Sequence, residues 1–356
     1  MKKIYLVALA VILGATLIFG GCPKPATAPT TPPTVYEWKI QSGFPHGDAS
    51  MEGLYQFAEK AEELSNGQLK IEVFAAPDIV TDVQVLEATK TGTLEMFQSC
   101  GTYWGGIVPV GEVEMGLPML YKVPEAKDLV EANAMVTEFF NESGFIDLLR
   151  EEYGKQGLYY LDIHTYSGTT INTTKPVKTL DDFKGMIIRS QGAFGEWIQG
   201  LGGSYYAGGG EEAYMNLKLG VIDGLHWDIS AITGMRTNEV APYLMMGPNN
   251  SILTEDVLVG HIMVNMDAWN SLPPELQKAL FDAAEYYRVL TGQIYKGEWD
   301  KAYALVDKGE LVLVPVDDAF VAKALEVAEG IWDEFAQRDE ACARAIDMVK
   351  EWRGLE

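Results

Sequence analysis

The first hundred residues alternate between strand-like and helix-like hydrophobic patterns. Apolar and polar residues alternate over 35–42, which predicts a strand, and two further strands are predicted at 69–74 and 94–99. Helices are predicted between them at 49–64 and 81–91. The first helix has its predicted buried stripe at Met51, Leu54, Ala58, Ala61 and Leu64. Strands that alternate with helices in this way predict a parallel sheet covered on both faces.

The remainder of the chain continues these patterns without an internal repeat. The further strands are predicted at 158–163, 258–265 and 311–316. The further helical regions are predicted at 124–153, 266–307 and 319–352, the last as one terminal helix. The hydrophobic pattern by itself therefore predicts an α/β protein with two sheets.

One stretch in the middle of the chain combines a strand, a tight turn and a helix. The apolar run at 186–188 ends in Arg189, Gly192 follows, and helical periodicity begins near Phe194. Arg189 is therefore expected at the carboxyl end of a strand, where ligands bind in open α/β sheets. The start of the next helix favours an anion, and a guanidinium pairs with a carboxylate through two hydrogen bonds. We hypothesise that Arg189 binds an organic acid; the alternatives are a surface arginine or an ion pair with Asp181 or Asp182.

The charge of the chain narrows the class of partner. The 356 residues carry a net charge of −24, which opposes nucleic acids and anionic lipids because both require clustered Lys and Arg. An anionic ligand would also approach through an unfavourable field, so a local cation such as Arg189 becomes more important. The simpler explanation of the acidity is solubility.

The amino-terminal residues resemble a lipoprotein signal peptide. Lys2 and Lys3 precede an apolar run at 4–19 that ends at Gly20-Gly21-Cys22, so residues 1–22 are predicted to be the signal with lipidation at Cys22. The alternative is an uncleaved anchor helix. Residues 23–35 form a Pro/Thr linker. Whether residues 1–22 are a lipoprotein signal or an uncleaved anchor helix, they predict a periplasmic or extracytoplasmic protein anchored to the membrane.

Catalytic motifs are not evident in the sequence. The four histidines have no metal-ligand spacing, and neither a GxSxG elbow nor a CxxC pair occurs. A triad assembled from distant residues would leave no local motif, so a secreted hydrolase or a sensor domain stays as an alternative. Export permits a disulfide between Cys100 and Cys342, but we expect two free thiols because they lie far apart in the sequence.

Five segments, in order, resemble the solute receptors of TRAP transporters, the C4-dicarboxylate-type receptor family. They are LDDFKG at 180–185, MIIRS at 186–190, LGG at 201–203, EEAYMNLKLG at 211–220 and VIDG at 221–224. The resemblance implies a non-enzymatic receptor that captures a small organic-acid anion and works with TRAP membrane subunits. It also implies that Arg189 pairs with the carboxylate when two lobes close. A receptor of an ATP-driven importer is the alternative among binding proteins.

The resemblance further implies a two-lobe periplasmic-binding-protein-like fold. Each lobe would be a mixed sheet flanked by helices, and hinge strands and a long helix within 274–307 would join the lobes. Lobe I is predicted at 36–160 plus about 251–290, and lobe II at about 161–250 plus about 291–318. Residues 319–356 form a predicted C-terminal helical segment, which could be exchanged between two copies in a homodimer.

The sequence is most similar to the keto- and hydroxy-acid-binding branch of that family. The segments TYWGG at 102–106 and AGGGEEAY at 207–214 carry this similarity, together with Trp227. The resemblance implies that Trp227 faces the ligand. It also implies that Tyr166 and Ser167, in a loop before Gly168, supply polar contacts. The glycines at 208–210 are expected to bring the backbone close to the cleft.

Further candidate ligand contacts come from predicted loops at strand ends. Tyr103 and Trp104 are expected to complete the cavity from the opposite lobe, and Phe44 and His46 are weaker candidates.

The branch also binds a metal ion with its ligand, through an acidic residue that His226 replaces here. This replacement removes an oxygen ligand for Na⁺ or Ca²⁺. Asp228 is a weak substitute, so no cofactor is expected and a bound ion is the less favoured alternative.

Overall fold

A computed structural model gives the structure of the protein and describes residues 34–355. The predicted signal peptide, the lipidation at Cys22 and most of the predicted linker lie outside the described residues. Within 34–355, no helix is both long enough and apolar enough to cross a membrane.

The described part of the chain contains strands and helices in regular succession. The strands are β1 (Tyr36–Pro45), β2 (Leu69–Ala76), β3 (Met96–Ser99), β4 (Leu158–Ser167), β5 (Thr170–Thr173), β6 (Ile187–Arg189), β7 (Ser204–Tyr206), β8 (Gly224–Trp227), β9 (Tyr243–Met246), β10 (Val257–Asn265) and β11 (Val312–Pro315). The α-helices are α1 (Ser50–Leu64), α2 (Val85–Lys90), α3 (Val110–Met115), α4 (Leu129–Glu142), α5 (Phe145–Gly154), α6 (Leu180–Phe183), α7 (Gly192–Gly200), α8 (Ala213–Lys218), α9 (Ser230–Thr233), α10 (Met266–Ser271), α11 (Pro274–Asp307), α12 (Asp318–Ala336) and α13 (Glu340–Trp352).

The strands form two mixed sheets, in agreement with the predicted fold class. The first sheet has the order β2-β1-β3-β10-β4, and the second has the order β11-β9-β5-β8-β6-β7. In the first sheet β1 is parallel to β2 and β3, because a helix connects each successive pair, whereas β10 returns antiparallel to β3 and β4. In the second sheet Arg189 at the end of β6 pairs in register with Leu225 of β8.

The chain crosses directly from the first sheet to the second. Only Gly168 and Thr169 separate β4 from β5, and the return crossing lies between β9 and β10. The two crossings are hydrogen-bonded to each other, since the Gly168 N–H donates to the Asp256 carbonyl at 2.8 Å. The Thr169 N–H also donates to Glu255 Oε1 at 2.8 Å. These two crossings, together with the ends of the strands beside them, correspond to the predicted hinge strands.

The long helix α11 spans both sheets, as predicted. Its 34 residues extend about 50 Å at 1.5 Å per residue. Tyr287 packs in the hydrophobic cluster of α1 and the first sheet. Tyr295 and Trp299, further along the helix, pack in a cluster with Leu225 and Leu244 of the second sheet.

Two details of the predicted helices were wrong. Leu64 was assigned to the buried stripe of α1 but is exposed, because it is the last residue of the helix. The predicted terminal helix at 319–352 is instead two helices, α12 and α13. The Asp339 side chain accepts a hydrogen bond from the Cys342 N–H and so begins a new helix there. Cys100 and Cys342 are both buried and free, as expected.

Candidate functional site

A small cavity lies where strands of both sheets reach their carboxyl ends, which is the expected ligand side of such sheets. Its volume is about 60 Å³. Most of the residues predicted from the sequence line it, namely Phe44, Tyr103, Tyr166, Arg189, His226, Trp227 and Asp228. The lining is completed by residues that the sequence did not single out, which are Cys100, Thr102, Met115, Thr169, Gln191, Phe194 and Leu258. The cavity therefore has one cationic residue surrounded by mostly apolar walls.

Arg189 is the cationic residue of the cavity. It ends β6, and only 4% of its surface is exposed. Its Nε donates to the Gly208 carbonyl at 2.8 Å, which confirms the expected approach of the glycine-rich backbone to the cleft. Its Nη2 is buried and has no hydrogen-bond partner among residues 34–355. Asp182 is not its partner, because that carboxylate caps the short helix α6 by accepting from the Thr179 N–H.

Trp227 forms the wall against which Arg189 lies. The guanidinium carbon is 4.5 Å from the centre of the indole ring, which is within the range of a cation–π interaction. The indole N–H donates to Asp48 Oδ2 at 3.2 Å. Because Trp227 ends β8 and Asp48 follows β1, this hydrogen bond connects the two sheets beside the cavity.

Phe44 and Tyr166 extend the aromatic wall. Phe44 packs edge-on against both Tyr166 and Trp227, with ring centres 5.6 Å and 6.2 Å apart. The Tyr166 hydroxyl lies 3.1 Å from His164 Nε2, so it is already hydrogen-bonded within the protein. Apolar ring surface is therefore what Tyr166 contributes to the cavity.

His226 is held between two hydroxyl groups. Its Nδ1 lies 3.1 Å from Ser190 Oγ, and its Nε2 lies 2.6 Å from Thr169 Oγ1. Thr169 Oγ1 in turn lies 2.7 Å from Glu255 Oε1. Burial, together with the nearby Arg189 charge, lowers the pKa of His226 to about 3, so the imidazole is neutral at physiological pH. Burial raises the pKa of Glu255 to about 7.

Two buried carboxyl groups, those of Asp48 and Asp228, lie close to Trp227. Asp48 accepts from the Ser50 N–H at 2.9 Å, and Asp228 accepts from the Ser230 N–H at 2.8 Å. Burial, reinforced by the charge of Asp48, raises the pKa of Asp228 well above its usual range. Asp228 is therefore the member of this pair that holds a proton more readily.

The donor set around the cavity does not match a hard cation. Both ring nitrogens of His226 face hydroxyl groups, and Asp228 is the one carboxyl group among the lining residues. Na⁺ and Ca²⁺ prefer several oxygen ligands, of which carboxylates are the strongest. Within 34–355, no group of three or more metal-ligating side chains is assembled that could hold a metal ion.

Three predicted site residues lie away from the cavity. Trp104 was expected in the wall, but it is buried in the core, where its indole N–H donates to the Tyr153 hydroxyl at 3.2 Å. Ser167 was expected to supply a polar contact, but its hydroxyl donates to the Gly168 carbonyl at 3.0 Å. Both Tyr166 and Ser167 belong to strand β4 rather than to the predicted loop, since β4 continues to the crossing between sheets. His46 is exposed and lies 3.1 Å from Asp78.

One N–H group at the amino terminus of the helix that follows Arg189 is already hydrogen-bonded to a carboxylate of the protein. This helix is α7, and its Ala193 N–H donates to Glu112 Oε2 at 2.7 Å. Glu112 lies on α3, far away in the sequence, so no local pattern identifies this contact. A carboxylate of the protein thus occupies this N–H group of the helix start, and Arg189 provides the cationic contact of the cavity.

The sequence matches one protein family over most of its length. The family model for DctP, described as bacterial extracellular solute-binding protein family 7, matches residues 42–339. A monocarboxylate 2-oxoacid-binding periplasmic protein of Nostoc sp. is 24% identical, over 99% of this chain and 94% of the relative. A C4-dicarboxylate-binding periplasmic protein of Rhodobacter capsulatus is 26% identical, over 93% of this chain and 94% of the relative.

The fold also agrees with solved structures. A TRAP periplasmic solute-binding protein from Pseudoalteromonas atlantica, with bound sodium and pyruvate, superposes with a TM-score of 0.79. The alignment covers 90% of this chain and 94% of that protein, with 20% sequence identity. This similarity establishes a shared two-lobe architecture.

Proposed function

Because the chain belongs to family 7 of the bacterial extracellular solute-binding proteins, the TRAP receptors, we propose that it captures a small monocarboxylate anion through Arg189. As a member of a receptor family it is a binding protein and not an enzyme. The observation that carries the proposal is that Arg189 lines the cavity and its buried Nη2 has no hydrogen-bond partner among residues 34–355. An unpaired buried donor of this kind is costly unless a ligand satisfies it.

The ligand class follows from the composition of the cavity walls. Arg189 is the one Lys or Arg among the lining residues, so a second carboxylate on the ligand would have no cation to pair with. It would also encounter aromatic surface, where desolvation of the charge is unfavourable. The cavity of about 60 Å³ is small beside the roughly 300–1,000 Å³ of pockets for drug-sized molecules, which favours a compact acid.

The substituent next to the carboxylate is proposed to be a keto or hydroxy group. Thr102, Tyr103 and Gln191 add neutral polar groups to the aromatic lining, which suits an additional uncharged oxygen on the ligand. The names of two similar proteins support this class, since one binds monocarboxylate 2-oxoacids and the other contains pyruvate.

We propose that the acid binds without a metal ion. The similar structure from Pseudoalteromonas atlantica contains sodium with its pyruvate. In this chain the position that resembles the ion-binding acidic residue is His226, whose two ring nitrogens are both occupied by hydroxyl groups. A neutral imidazole adds no negative charge to hold a cation, so binding is expected not to depend on sodium or calcium.

The receptor is proposed to act by closure of its two lobes on the ligand and then to deliver the acid to TRAP membrane subunits. The predicted lobe boundaries near 250, 290 and 318 belong to this proposal, and the first boundary, predicted near 160, is proposed to lie at the crossing of Gly168 and Thr169. The location, in which lipidation at Cys22 would tether the receptor outside the cytoplasm, also belongs to this proposal. A homodimer with an exchanged C-terminal segment stays a prediction, and in the structure α13 packs against α3 and α5 of its own chain.

The experiment that tests the proposal is identification of the bound acid. Purified protein is unfolded, and mass spectrometry identifies what is released. The expected result is a small keto or hydroxy monocarboxylic acid, which rebinds to the refolded receptor and is recovered unchanged. Recovery of a chemically altered product, or of a dicarboxylic acid, would contradict the proposal.

A further inference from the structure

Glu112 lies outside the cavity and connects two of its walls. The Tyr103 wall is the part of the lining formed by Thr102, Tyr103 and Met115, and the Arg189 wall is the part formed by Arg189, Gln191 and Phe194. Glu112 lies on α3, in the segment that follows β3 of the first sheet, and only 7% of it is exposed. Its Oε2 accepts a hydrogen bond of 2.7 Å from the Ala193 N–H at the start of α7. Helix α7 follows β6 of the second sheet and hence follows Arg189 directly. The hydrogen bond therefore joins the Arg189 wall to the Tyr103 wall.

The carboxylate of Glu112 occupies a space that two glycines leave open. A Cβ atom on Gly105 would lie 2.1 Å from Glu112 Oε1, and one on Gly192 would lie 2.2 Å from Glu112 Oε2. Gly105 follows Tyr103 in the segment that forms the Tyr103 wall. Gly192 begins α7 and has a positive φ of 52°. Larger side chains at either position would displace the carboxylate, so both walls have a shape that accommodates it.

The Arg338 guanidinium also lies close to the Glu112 carboxylate. Arg338, in the turn between α12 and α13, has its Nη1 3.6 Å from Glu112 Oε1. Its Nη2 lies 3.6 Å from Glu196 of α7. Burial raises the pKa of Glu112 to about 7, and the Ala193 hydrogen bond and the Arg338 charge both favour the ionised form. The C-terminal segment thus supports the contact between the walls.

We propose that Glu112 is a positioning residue that holds the Arg189 wall against the Tyr103 wall and thereby sets how long an acid is retained. The residues that line the cavity come from both joined segments, with Thr102, Tyr103 and Met115 on one side. Arg189, Gln191 and Phe194 lie on the other side. Glu112 does not line the cavity, so it acts by keeping these two sets of residues together. This inference rests on the proposed function for its effect on ligand retention, but the contact itself can be tested without a ligand.

Three variants separate the hydrogen bond from the charge. Glu112→Gln keeps an oxygen that can accept from Ala193 but loses the attraction of Arg338, and Glu112→Ala loses both. The matched control is Glu196→Gln, which removes another carboxylate from Arg338 without touching the Ala193 N–H. Urea unfolding of each variant separates a local effect from a general loss of stability.

The first measurement is amide hydrogen exchange at Ala193 in the ligand-free protein. Loss of a hydrogen bond to a charged acceptor predicts exchange at least about tenfold faster in Glu112→Ala, with a smaller increase in Glu112→Gln. The control is expected to exchange like the wild type. Unchanged protection of Ala193 in a folded Glu112→Ala variant would overturn the proposal.

The second measurement is release of pyruvate, followed by tryptophan fluorescence in a stopped-flow instrument. Glu112→Ala is expected to release pyruvate about tenfold faster with little change in the association rate, and Glu112→Gln is expected to recover part of the difference. Equal release rates would overturn the role in retention. If wild-type protein does not bind pyruvate, the proposed ligand class is contradicted, and Ala193 exchange still decides whether Glu112 joins the walls.

Discussion

The guanidinium carbon of Arg189 lies 4.5 Å from the centre of the Trp227 ring, and the two side chains come from neighbouring strands of one sheet. The indole covers one face of the guanidinium, while the Gly208 carbonyl holds its Nε. The orientation of the remaining donors is thereby fixed before any ligand arrives. Such pre-organisation reduces the entropy lost on binding.

Replacement of Arg189 tests the carboxylate contact directly. Arg189→Ala removes a charge-assisted hydrogen bond worth about 1.5–3 kcal/mol, so the acid identified by mass spectrometry should bind at least about tenfold more weakly. Arg189→Lys should also bind weakly, because an ammonium group cannot reproduce the planar pair of donors. Titration calorimetry measures both variants. Arg236→Lys serves as the control, because the Arg236 side chain is exposed. Wild-type affinity in Arg189→Ala would refute the role assigned to Arg189.

Trp227 is expected to contribute through its ring and through its N–H group. Trp227→Phe keeps an aromatic face for Arg189 but loses the hydrogen bond to Asp48. Cation–π contacts of this kind are worth about 0.5–2 kcal/mol, so the affinity should fall a few-fold in Trp227→Phe and further in Trp227→Ala. Calorimetry with the same acid provides the measurement. An affinity in Trp227→Ala equal to that of the wild type would show that the stacking has no part in binding.

The single cation of the cavity predicts discrimination between monocarboxylic and dicarboxylic acids. Pyruvate or lactate should displace the bound acid, whereas malonate should not, because its second carboxylate would be desolvated without a second Lys or Arg among the lining residues. Competition at matched concentrations, with and without added sodium or calcium, measures this preference. Tighter binding of malonate, or binding that requires the metal salt, would contradict the proposed ligand class.

Glu255 predicts a pH dependence of folding stability. Its pKa is raised by burial from 4.5 to about 7, despite the hydrogen bonds from Thr169 and the positive charge of Lys122. The folded state therefore binds more protons than the unfolded state between these values, and the free energy of unfolding falls as the pH rises through that window. His226 contributes with the opposite sign in a window that overlaps this one, between about pH 3 and pH 6.5, since its folded pKa is lowered from 6.5 to about 3.

The Glu255 contribution is isolated by comparing the wild type with Glu255→Gln. Between about pH 5 and about pH 8, the free energy of unfolding in urea should fall by a few kcal/mol more in the wild type than in the variant, since the other titrating groups are common to both proteins. The same pH dependence in both proteins would show that Glu255 titrates normally.

The crossing between the sheets is expected to require a residue without a side chain at Gly168. A Cβ atom there would lie 1.7 Å from the Glu255 carbonyl oxygen, so Gly168→Ala should force the two crossing segments apart. Overpacking of this kind costs about 1–3 kcal/mol or more, measured by urea unfolding. The control is Gly330→Ala within α12, where no atom lies within 4 Å of an added Cβ and a small stabilisation is expected. Equal stability of both variants would contradict the argument.

Hydrophobic periodicity was sufficient to predict much of the fold. The patterns of α1 and α11 identified these helices because their buried residues recur at helical spacing. The strand–turn–helix order also placed Arg189 correctly at the end of β6. Short strands such as β5 and β7 were not predicted, because three or four residues carry too little periodicity to be distinguished from a loop.

The parts of the site that were missed depend on contacts between distant segments. Tyr103 and Trp104 are adjacent aromatic residues in one turn, yet only Tyr103 lines the cavity, because Trp104 is directed towards Phe97 and Tyr153 in the core. The roles of Glu112 and Thr169 could not be predicted either, because their hydrogen-bond partners are remote in the sequence. A single sequence contains no pattern that pairs them.

The hydrogen bonds between the two crossing segments have a mechanical consequence. Gly168 and Thr169 are bound to Glu255 and Asp256, so the proposed closure would turn both of these linking segments about nearly one pivot. A small angular change there moves residues at the far edge of either sheet along a much longer arc. We therefore expect the outer surface to be displaced far more than the anion that causes the rotation, in a direction that the pivot fixes.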